Sequence, residues 1–258
     1  MELKLLGPVE IVSDGRHIVV GPPQRRTVLA VLAAAAGLHV STDMLIERVW
    51  DRDPPDGARR VLQSHISRLK RLMGQFCGGE TVRLVRRSDG YVLEIDKDIV
   101  DLHRFRRMVR HACNSSGDCG DRAAVLRRAL ALRSGEPLAG LPTDWASRMR
   151  ASFESEYVRV VGFWANAELA IGNFSPVLSK VGDLVVASPL NEQLVAVLMR
   201  AFESAGHRAK ALDLYVSTCR NLQECLDAEP SYELQALYQA MLKASLAAHA
   251  VTARRPVA

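Results

Sequence analysis

A basic helix pattern followed by a hairpin pattern dominates the first hundred residues. At about 100° per residue, the segment from about Ala58 to Met73 separates into an apolar and a polar face. The apolar face consists of Ala58, Leu62, His65, Ile66, Leu69 and Met73, and we expect His65 to be packed there rather than to act as a ligand. Beyond this helix, expected to end at Gly74, the segments Thr81–Arg87 and Tyr91–Ile95 alternate around Ser88-Asp89-Gly90. An Asp-Gly turn between alternating segments is a strong hairpin signal, and a helix followed by a hairpin is the organisation of a winged helix-turn-helix.

The polar face of the same helix carries side chains that suit a DNA major groove. Its members are Arg60, Ser64, Ser67 and Arg71, with Gln63 and Lys70 on one flank and Arg68 on the other, and Arg59 at the start of the helix. Arginine can bridge guanine acceptors, glutamine can pair with adenine, and serine can serve a base or a phosphate. The alternative is a solvated helix face without a ligand.

The positive charge is concentrated on this helix and the hairpin. Between Arg59 and Arg87 there are eight Lys and Arg residues and one acid, Glu80, whereas the whole chain has a formal net charge of only +5. A basic stripe of this kind is the electrostatic footprint of duplex binding. Arg86 and Arg87 come just before the hairpin tip, where a wing can reach phosphate or a minor groove.

Short strands precede the basic helix. The segments Glu2–Leu6, Val9–Val12 and His17–Val20 are strand-like, and Asp14-Gly15 predicts a tight turn between the last two. Together they indicate a small antiparallel sheet.

Two further helices are expected between this sheet and the basic helix. One runs from Gln24 to Ala36 with Gly37 as its C-cap, and the other runs from about Thr42 to Trp50 with Ser41 as its N-cap. Ser41 and Thr42 could bind a DNA phosphate at the helix N-terminus or form a plain cap, and the two roles are compatible. Gln24, Arg25 and Arg26 could also reach the DNA backbone, or simply be solvated at a helix start.

The loop Asp51–Gly57 contains two prolines and three acids. DNA would repel such a segment, so it favours contact with a protein through Asp51, Asp53 and Asp56. An ordinary connection between helices is the alternative.

Beyond about Val100 the strand patterns stop. The predicted helices are Leu102–Cys113, Arg122–Leu132, Asp144–Ala170, Phe174–Ala187, Leu190–Ala205, Arg208–Leu226 and Tyr232–Ala248. The segment AFESAGHRAKALDLY fits a tetratricopeptide-like helix pair, without a strict 34-residue repeat. We therefore predict a mostly α protein with small antiparallel β elements: a winged helix-turn-helix domain in residues 1–97, followed by an all-helical domain in residues 98–258.

Other protein classes find little support. No apolar stretch reaches the roughly 20 residues that cross a bilayer, and the N-terminus lacks the pattern of a signal peptide, so we expect a cytoplasmic protein without a membrane partner. The five cysteines and seven histidines show no spacing typical of metal sites, and no phosphate-binding or nucleophile motif of known enzymes is present. We predict no enzyme activity, no cofactor and no metal. A protein-interaction scaffold remains an alternative to a DNA-binding activator.

The chain resembles the Streptomyces antibiotic regulatory protein family of activators. The N-terminal part is similar to their OmpR-type winged helix in LKLLGPVEI, GPPQRRTVLAVLAAAAG, HVSTDMLIERVWDRDPPDGARRVLQSHISRLKRLMG and VRLVRRSDGYVLEI. The remainder is similar to their bacterial transcriptional activation domain in DIVDLHRFRRMV, AVLRRALALRSGEPLAGL, ASPLNEQLVAVLMRAFESAGHRAKALDLYVSTCRNLQECL and DAEPSYELQALYQAML. One departure is Cys225-Leu226-Asp227-Ala228, where the family usually has Leu-Gly; Lys70 is another, since Arg is common there.

The resemblance implies a small two-domain activator of secondary-metabolite (antibiotic) gene clusters. It implies binding to direct repeats near the −35 region of a promoter by two copies side by side, and recruitment of RNA polymerase. By the same analogy, Ala58–Met73 reads the major groove, Arg83–Tyr91 is the wing, and Asp51–Gly57 contacts polymerase or its sigma factor.

Overall fold

The computed structural model describes residues 1–76, 82–115 and 117–252, with the backbone alone for residue 76 and from residue 244 onward. It divides into two compact units. The first unit comprises Met1–Ser115 and Val125–Tyr157, and the second comprises the other described residues. The domain boundary expected between residues 97 and 98 stays a prediction.

The first unit begins with the predicted antiparallel sheet. Its strands β1 (Glu2–Lys4), β2 (Glu10–Ser13) and β3 (Arg16–Ile18) lie in the order β1-β2-β3. Ser13 pairs with Arg16, so Asp14 and Gly15 form a two-residue turn, and both have positive φ (49° and 74°). This conformation is the one that the hairpin turn requires, and aspartate and glycine tolerate it best.

Three helices follow, α1 (Pro23–Ala34), α2 (Thr42–Trp50) and α3 (Ala58–Phe76). Two predicted ends were wrong. Helix α1 stops at Ala34, and Gly37, with φ of 77°, donates its N–H to the Leu93 carbonyl (2.9 Å) instead of capping the helix directly. Helix α3 continues through Gly74 to Phe76, because a single glycine costs a helix only about 1 kcal/mol.

A second antiparallel sheet contains the predicted hairpin and one strand that the sequence analysis missed. Strands β4 (His39–Ser41), β5 (Val82–Arg87) and β6 (Gly90–Ile95) lie in the order β4-β6-β5. The missed strand, β4, is three residues long, too short to show a period of two. Thr81, the predicted start of the hairpin, lies outside the described residues.

A buried aspartate joins the first sheet to the next helix, α4 (Asp101–Asn114). The Asp101 side chain is 1% exposed, and its carboxylate accepts the N–H groups of Leu5 (2.8 Å), Leu6 (2.9 Å) and Leu102 (2.7 Å). Burial raises the pKa of Asp101 to about 6, although the three N–H groups act in the opposite direction. This carboxylate therefore fastens the segment after β1 to the start of α4.

Two further helices have parts in both units, α5 (Cys119–Leu130) and α6 (Asp144–Ala170). Within the first unit, the N-terminal half of α6 is held by two multiply bonded arginine–carboxylate pairs. Arg106 contacts Glu156 through three hydrogen bonds (2.8–3.2 Å), and Arg133 contacts Glu154 through two (2.6 and 2.9 Å). Forked pairs of this kind fix orientation as well as adding energy.

The second unit is helical and contains α7 (Ser175–Ala187), α8 (Glu192–Ser204), α9 (Arg208–Leu226) and α10 (Tyr232–Thr252). Helix α8 packs against α7 and α9, and α10 packs against α8 and α9. Gly206, with φ of 77°, allows the tight reversal between α8 and α9 that the tetratricopeptide-like pattern predicted. Within residues 1–76, 82–115 and 117–252, no helix is both long and apolar enough to span a lipid bilayer.

Candidate DNA-binding surface

Helix α3 has one buried and one exposed face, as its sequence pattern predicted. Leu62, Ile66, Leu69 and Met73 are at most 3% exposed and pack against the rest of the first unit. All eight polar residues that were predicted to face DNA are exposed: Arg59, Arg60, Gln63, Ser64, Ser67, Arg68, Lys70 and Arg71. Arg86 and Arg87, at the end of β5, are also exposed. We call these ten side chains the basic surface.

Most of the basic residues of this surface carry a charge that no described acid neutralises. Arg59 pairs with Asp43 (2.6 Å) and Arg87 pairs with Glu94 (3.2 Å), and in both pairs the side chains are well exposed. None of the other basic residues of the surface forms an ion pair with a described residue. Exposed ion pairs contribute at most about 1 kcal/mol, so DNA phosphates could replace the two acids at small cost.

The wing turn differs by one residue from the prediction. Arg87 pairs with Gly90, so the turn consists of Ser88, with φ of 44°, and Asp89, while Gly90 is the first residue of β6. Gly90 is needed for a different reason, the close approach of β4. A Cβ at this position would lie 2.2 Å from the Val40 carbonyl oxygen.

Ser41 and Thr42 hold the start of α2 and the wing turn together. The Ser41 hydroxyl accepts the N–H of Met44 (3.2 Å), which is the predicted N-cap. Thr42 donates both its N–H (2.9 Å) and its hydroxyl (2.5 Å) to the Asp89 carbonyl. Both donors of Thr42 are thus occupied within the protein, and the structure favours a positioning role for Thr42 over a phosphate contact.

The acidic loop between α2 and α3 is fastened at one end. The Asp51 carboxylate accepts the N–H of Asp144 through both oxygens (3.1 Å each), and so caps the first turn of α6. Asp53 and Asp56 are exposed and have no hydrogen bond or ion pair through their side chains with a described residue. Of the three predicted polymerase contacts, Asp51 therefore has a structural partner and the other two face solvent.

Two basic residues in the first turn of α1 are less accessible than a contact to the DNA backbone requires. Arg25, considered as a contact to the DNA backbone, is 8% exposed, and Arg26 is half-buried, whereas Gln24 is exposed. His65 is half-buried beside Trp50, with 6.4 Å between ring centroids, as expected for a packed residue. Burial, followed by the charges of Arg25 and Arg68, lowers the pKa of His65.

Sequence reasoning missed two positioning residues of this region, Thr42 as the wing contact and Asp101 as the link to α4. Both interactions join residues far apart in the chain, 47 and about 95 positions respectively. A local pattern carries no sign of such partners. The one available signal was the position of each residue at the start of a helix, where polar side chains commonly cap.

Two family models match the chain. The bacterial transcriptional activator domain matches residues 100–242, and the C-terminal domain of transcriptional regulatory proteins matches residues 16–93. The first match covers more than half of the chain.

Similar proteins are transcriptional regulators. The regulatory protein AfsR of Streptomyces griseus is 30% identical over 95% of this chain, which spans only 25% of that protein. The regulatory protein DnrI of Streptomyces peucetius is 27% identical over 95% of this chain and 93% of its own length. The structure of Mycobacterium tuberculosis EmbR, solved in complex with a low-affinity phosphopeptide, superposes with a TM-score of 0.85. It is 28% identical and covers 94% of this chain, which matches 65% of that chain.

The predicted fold class, a winged helix-turn-helix followed by a helical activator domain, is confirmed by these matches and by the described helices and sheets. The relatives are named as regulatory proteins. The chain belongs to the Streptomyces antibiotic regulatory protein family of DNA-binding transcriptional activators.

Proposed function

We propose that this chain binds direct repeats in promoter DNA through the basic surface and recruits RNA polymerase there. The observation that carries the proposal is the agreement between shape and charge. A single helix buries its apolar face and exposes a row of Arg, Lys, Gln and Ser residues, and the adjoining hairpin presents two more arginines. A helix of this kind fits the major groove, and wing arginines fit the flanking backbone.

In this proposal, each half of a direct repeat is bound by one copy of the chain, so that a dimer forms on DNA. The charge of the basic surface supplies most of the affinity, and Gln63, Ser64 and the central arginines supply the discrimination between bases. The target genes are those of a secondary-metabolite (antibiotic) cluster, and the site of action is the cytoplasm. The family of the chain supports these finer assignments.

The first experiment is a selection from random duplex DNA with the purified full-length chain at near-physiological salt. We expect enrichment of a short motif repeated in direct orientation, with a spacing of about 10–11 base pairs, one helical turn. Binding without enrichment that disappears as salt rises would contradict the proposal and favour a protein-interaction scaffold.

Variants then test the surface itself. Combined replacement of Arg60, Arg71 and Arg87 by alanine should abolish binding to the selected site, because each base contact contributes about 1–3 kcal/mol. The matched control is Arg110→Ala. Arg110 is an exposed residue of α4, and among the described residues its side chain bonds only to the carbonyl of Arg106 in the same helix. Equal affinity of the triple variant and the wild type would refute the assignment of the basic surface.

For polymerase, we propose that Asp53 and Asp56 contact the enzyme or its sigma factor, with Asp51 fixing the loop on α6. Asp53→Asn combined with Asp56→Asn should leave DNA affinity unchanged and lower activated transcription in a purified system. Unchanged transcription at equal promoter occupancy would show that polymerase contacts another surface.

A further inference from the structure

Asp89, in the turn of the wing, is held at both its main chain and its side chain. Its carbonyl accepts the N–H (2.9 Å) and the hydroxyl (2.5 Å) of Thr42, the first residue of α2. Its carboxylate has a different partner, because Oδ1 lies 3.3 Å from Nε2 of His39, the first residue of β4. Both partners belong to the continuous segment that contains β4 and the start of α2.

The start of β6 leaves room for the His39 ring. His39 lies opposite Val92 in the pairing of β4 with β6, two residues beyond Gly90. A Cβ at Gly90 would lie only 2.7 Å from Nε2 of His39, closer than a Cβ atom approaches another heavy atom. The absence of a side chain at Gly90 therefore lets the ring reach Asp89.

The position of Asp89 in the wing makes its charge unfavourable for DNA binding. It comes directly after Arg86, Arg87 and Ser88 in the chain, and its side chain is 75% exposed. The hairpin from residue 82 to residue 95 contains one other acid, Glu94, and that carboxylate is paired with Arg87. In the proposed complex, an unpaired carboxylate in the wing turn would repel the phosphates that the two arginines attract.

We infer that His39 is a positioning residue of the wing. It draws the carboxylate of Asp89 toward β4 and away from the phosphates, so that the turn presents Arg86 and Arg87 to DNA. This inference rests on the proposed function, because it requires the wing to lie against DNA. An imidazole N–H attracts a carboxylate and offsets part of its charge, most strongly when the ring is protonated.

The exposure of the pair sets the size of the expected effect. The two side chains are 43% and 75% exposed, and ion pairs of this kind contribute at most about 1 kcal/mol. That free energy corresponds to a change of at most about fivefold in DNA affinity. A change of this size is small beside the loss expected from the triple arginine variant, and a direct binding assay resolves it.

The first test measures the affinity of the full-length chain for a duplex that carries the selected repeat, at low salt. His39→Phe keeps a ring without an N–H, and we expect it to weaken DNA binding about two- to fivefold. His39→Gln places an amide N–H near the position of Nε2, and it should bind within about twofold of the wild type. Equal affinity of His39→Phe and the wild type would overturn the inference.

The second test is a double-mutant cycle that separates repulsion by Asp89 from a general loss of stability. Asp89→Asn removes the charge and keeps an oxygen that can accept a hydrogen bond, so alone it should change DNA affinity by less than about twofold. Added to His39→Phe, it should recover most of the lost affinity, because the unpaired carboxylate is gone. If it recovers none, His39 merely stabilises the fold and the inference is wrong.

The matched control is a second pair of a histidine and an acid, outside the basic surface. In the first sheet, Nδ1 of His17 on β3 lies 2.9 Å from Oε2 of Glu10 on β2, and His17 is exposed. His17→Phe should leave DNA affinity unchanged. An equal loss in His17→Phe and His39→Phe would show that the substitution of any exposed histidine weakens binding, and it would overturn the inference.

The failures of the two proposals are distinguishable. If His39→Phe binds DNA as the wild type does while the Arg60, Arg71 and Arg87 variant loses binding, the role of His39 is wrong and the DNA-binding surface stands. If the triple arginine variant also binds as the wild type does, the proposed function itself is wrong.

Discussion

The buried Asp101 makes the free energy of unfolding depend on pH in a direction opposite to that of a salt-bridged acid. Burial raises the pKa of its carboxyl from 3.8 to about 6. Between these two values the folded state binds more protons than the unfolded state, so stability falls as pH rises. The stability that the raised pKa of Asp101 contributes is fully present below pH 3.8 and is lost as pH rises through about 6.

The size of the effect follows from the two pKa values. The shift corresponds to about 3 kcal/mol in total, of which about 1 kcal/mol lies between pH 5 and pH 7. We therefore expect the wild type to gain about 1 kcal/mol from Asp101 when the pH is lowered from 7 to 5. Asp101→Asn removes the titrating group and should lose that gain, whatever its stability at a single pH.

The assay is denaturant unfolding of wild type and Asp101→Asn at pH 5 and pH 7, followed by tryptophan fluorescence. For each protein, the free energy of unfolding at pH 5 is compared with that at pH 7. The difference between the two proteins in this change isolates Asp101, because other groups titrate equally in both. Asp53→Asn, a variant of an exposed acid, serves as the matched control and should follow the wild type. If the wild type and Asp101→Asn change in parallel between pH 5 and pH 7, the assignment of a raised pKa to Asp101 is wrong.

Three further substitutions test single contacts. Thr42→Val removes the hydroxyl bond to the Asp89 carbonyl, so it should weaken DNA binding and alter the NMR signals of the wing. Thr42→Ser keeps a hydroxyl and should restore both. Equal behaviour of the two variants would contradict a positioning role. Asp227→Gly should raise the free energy of unfolding by up to about 1 kcal/mol, since Asp227 has φ of 50° at the end of α9, where glycine is unstrained. A lower melting temperature would show that the lost contact with Gln223 outweighs the relief of backbone strain. Glu168→Gln should lower the free energy of unfolding by about 1–3 kcal/mol. The fully buried carboxylate accepts one hydrogen bond from Trp164 (2.7 Å) and one from Asn173 (2.6 Å), each on a different oxygen, whereas an amide has only one oxygen. An unchanged denaturation midpoint would count against this account.

Local periodicity in the sequence was sufficient to predict most helices and strands of this fold. The predicted bounds of α2, α6 and α9 agree with the structure to the residue. An apolar stripe every three or four residues is a property of a short segment, and polar caps such as Ser41 mark where it begins. The departure from the family pattern at Asp227 also has a local explanation, since aspartate is one of the few residues that accept the left-handed conformation usually taken by glycine.

The sequence by itself thus determined which segments are helices and strands, which face of α3 is buried, and where the positive charge is concentrated. Only the tertiary structure decided how these parts are fixed together: the pairing of β4 with the wing, Thr42 at the wing turn, Asp51 on α6, Asp101 at the first sheet, and the burial of Arg25. Each of these depends on a partner in another element of the fold. A hydrogen-bond donor or a buried charge is defined by what surrounds it in space, and that surrounding forms only when distant segments pack.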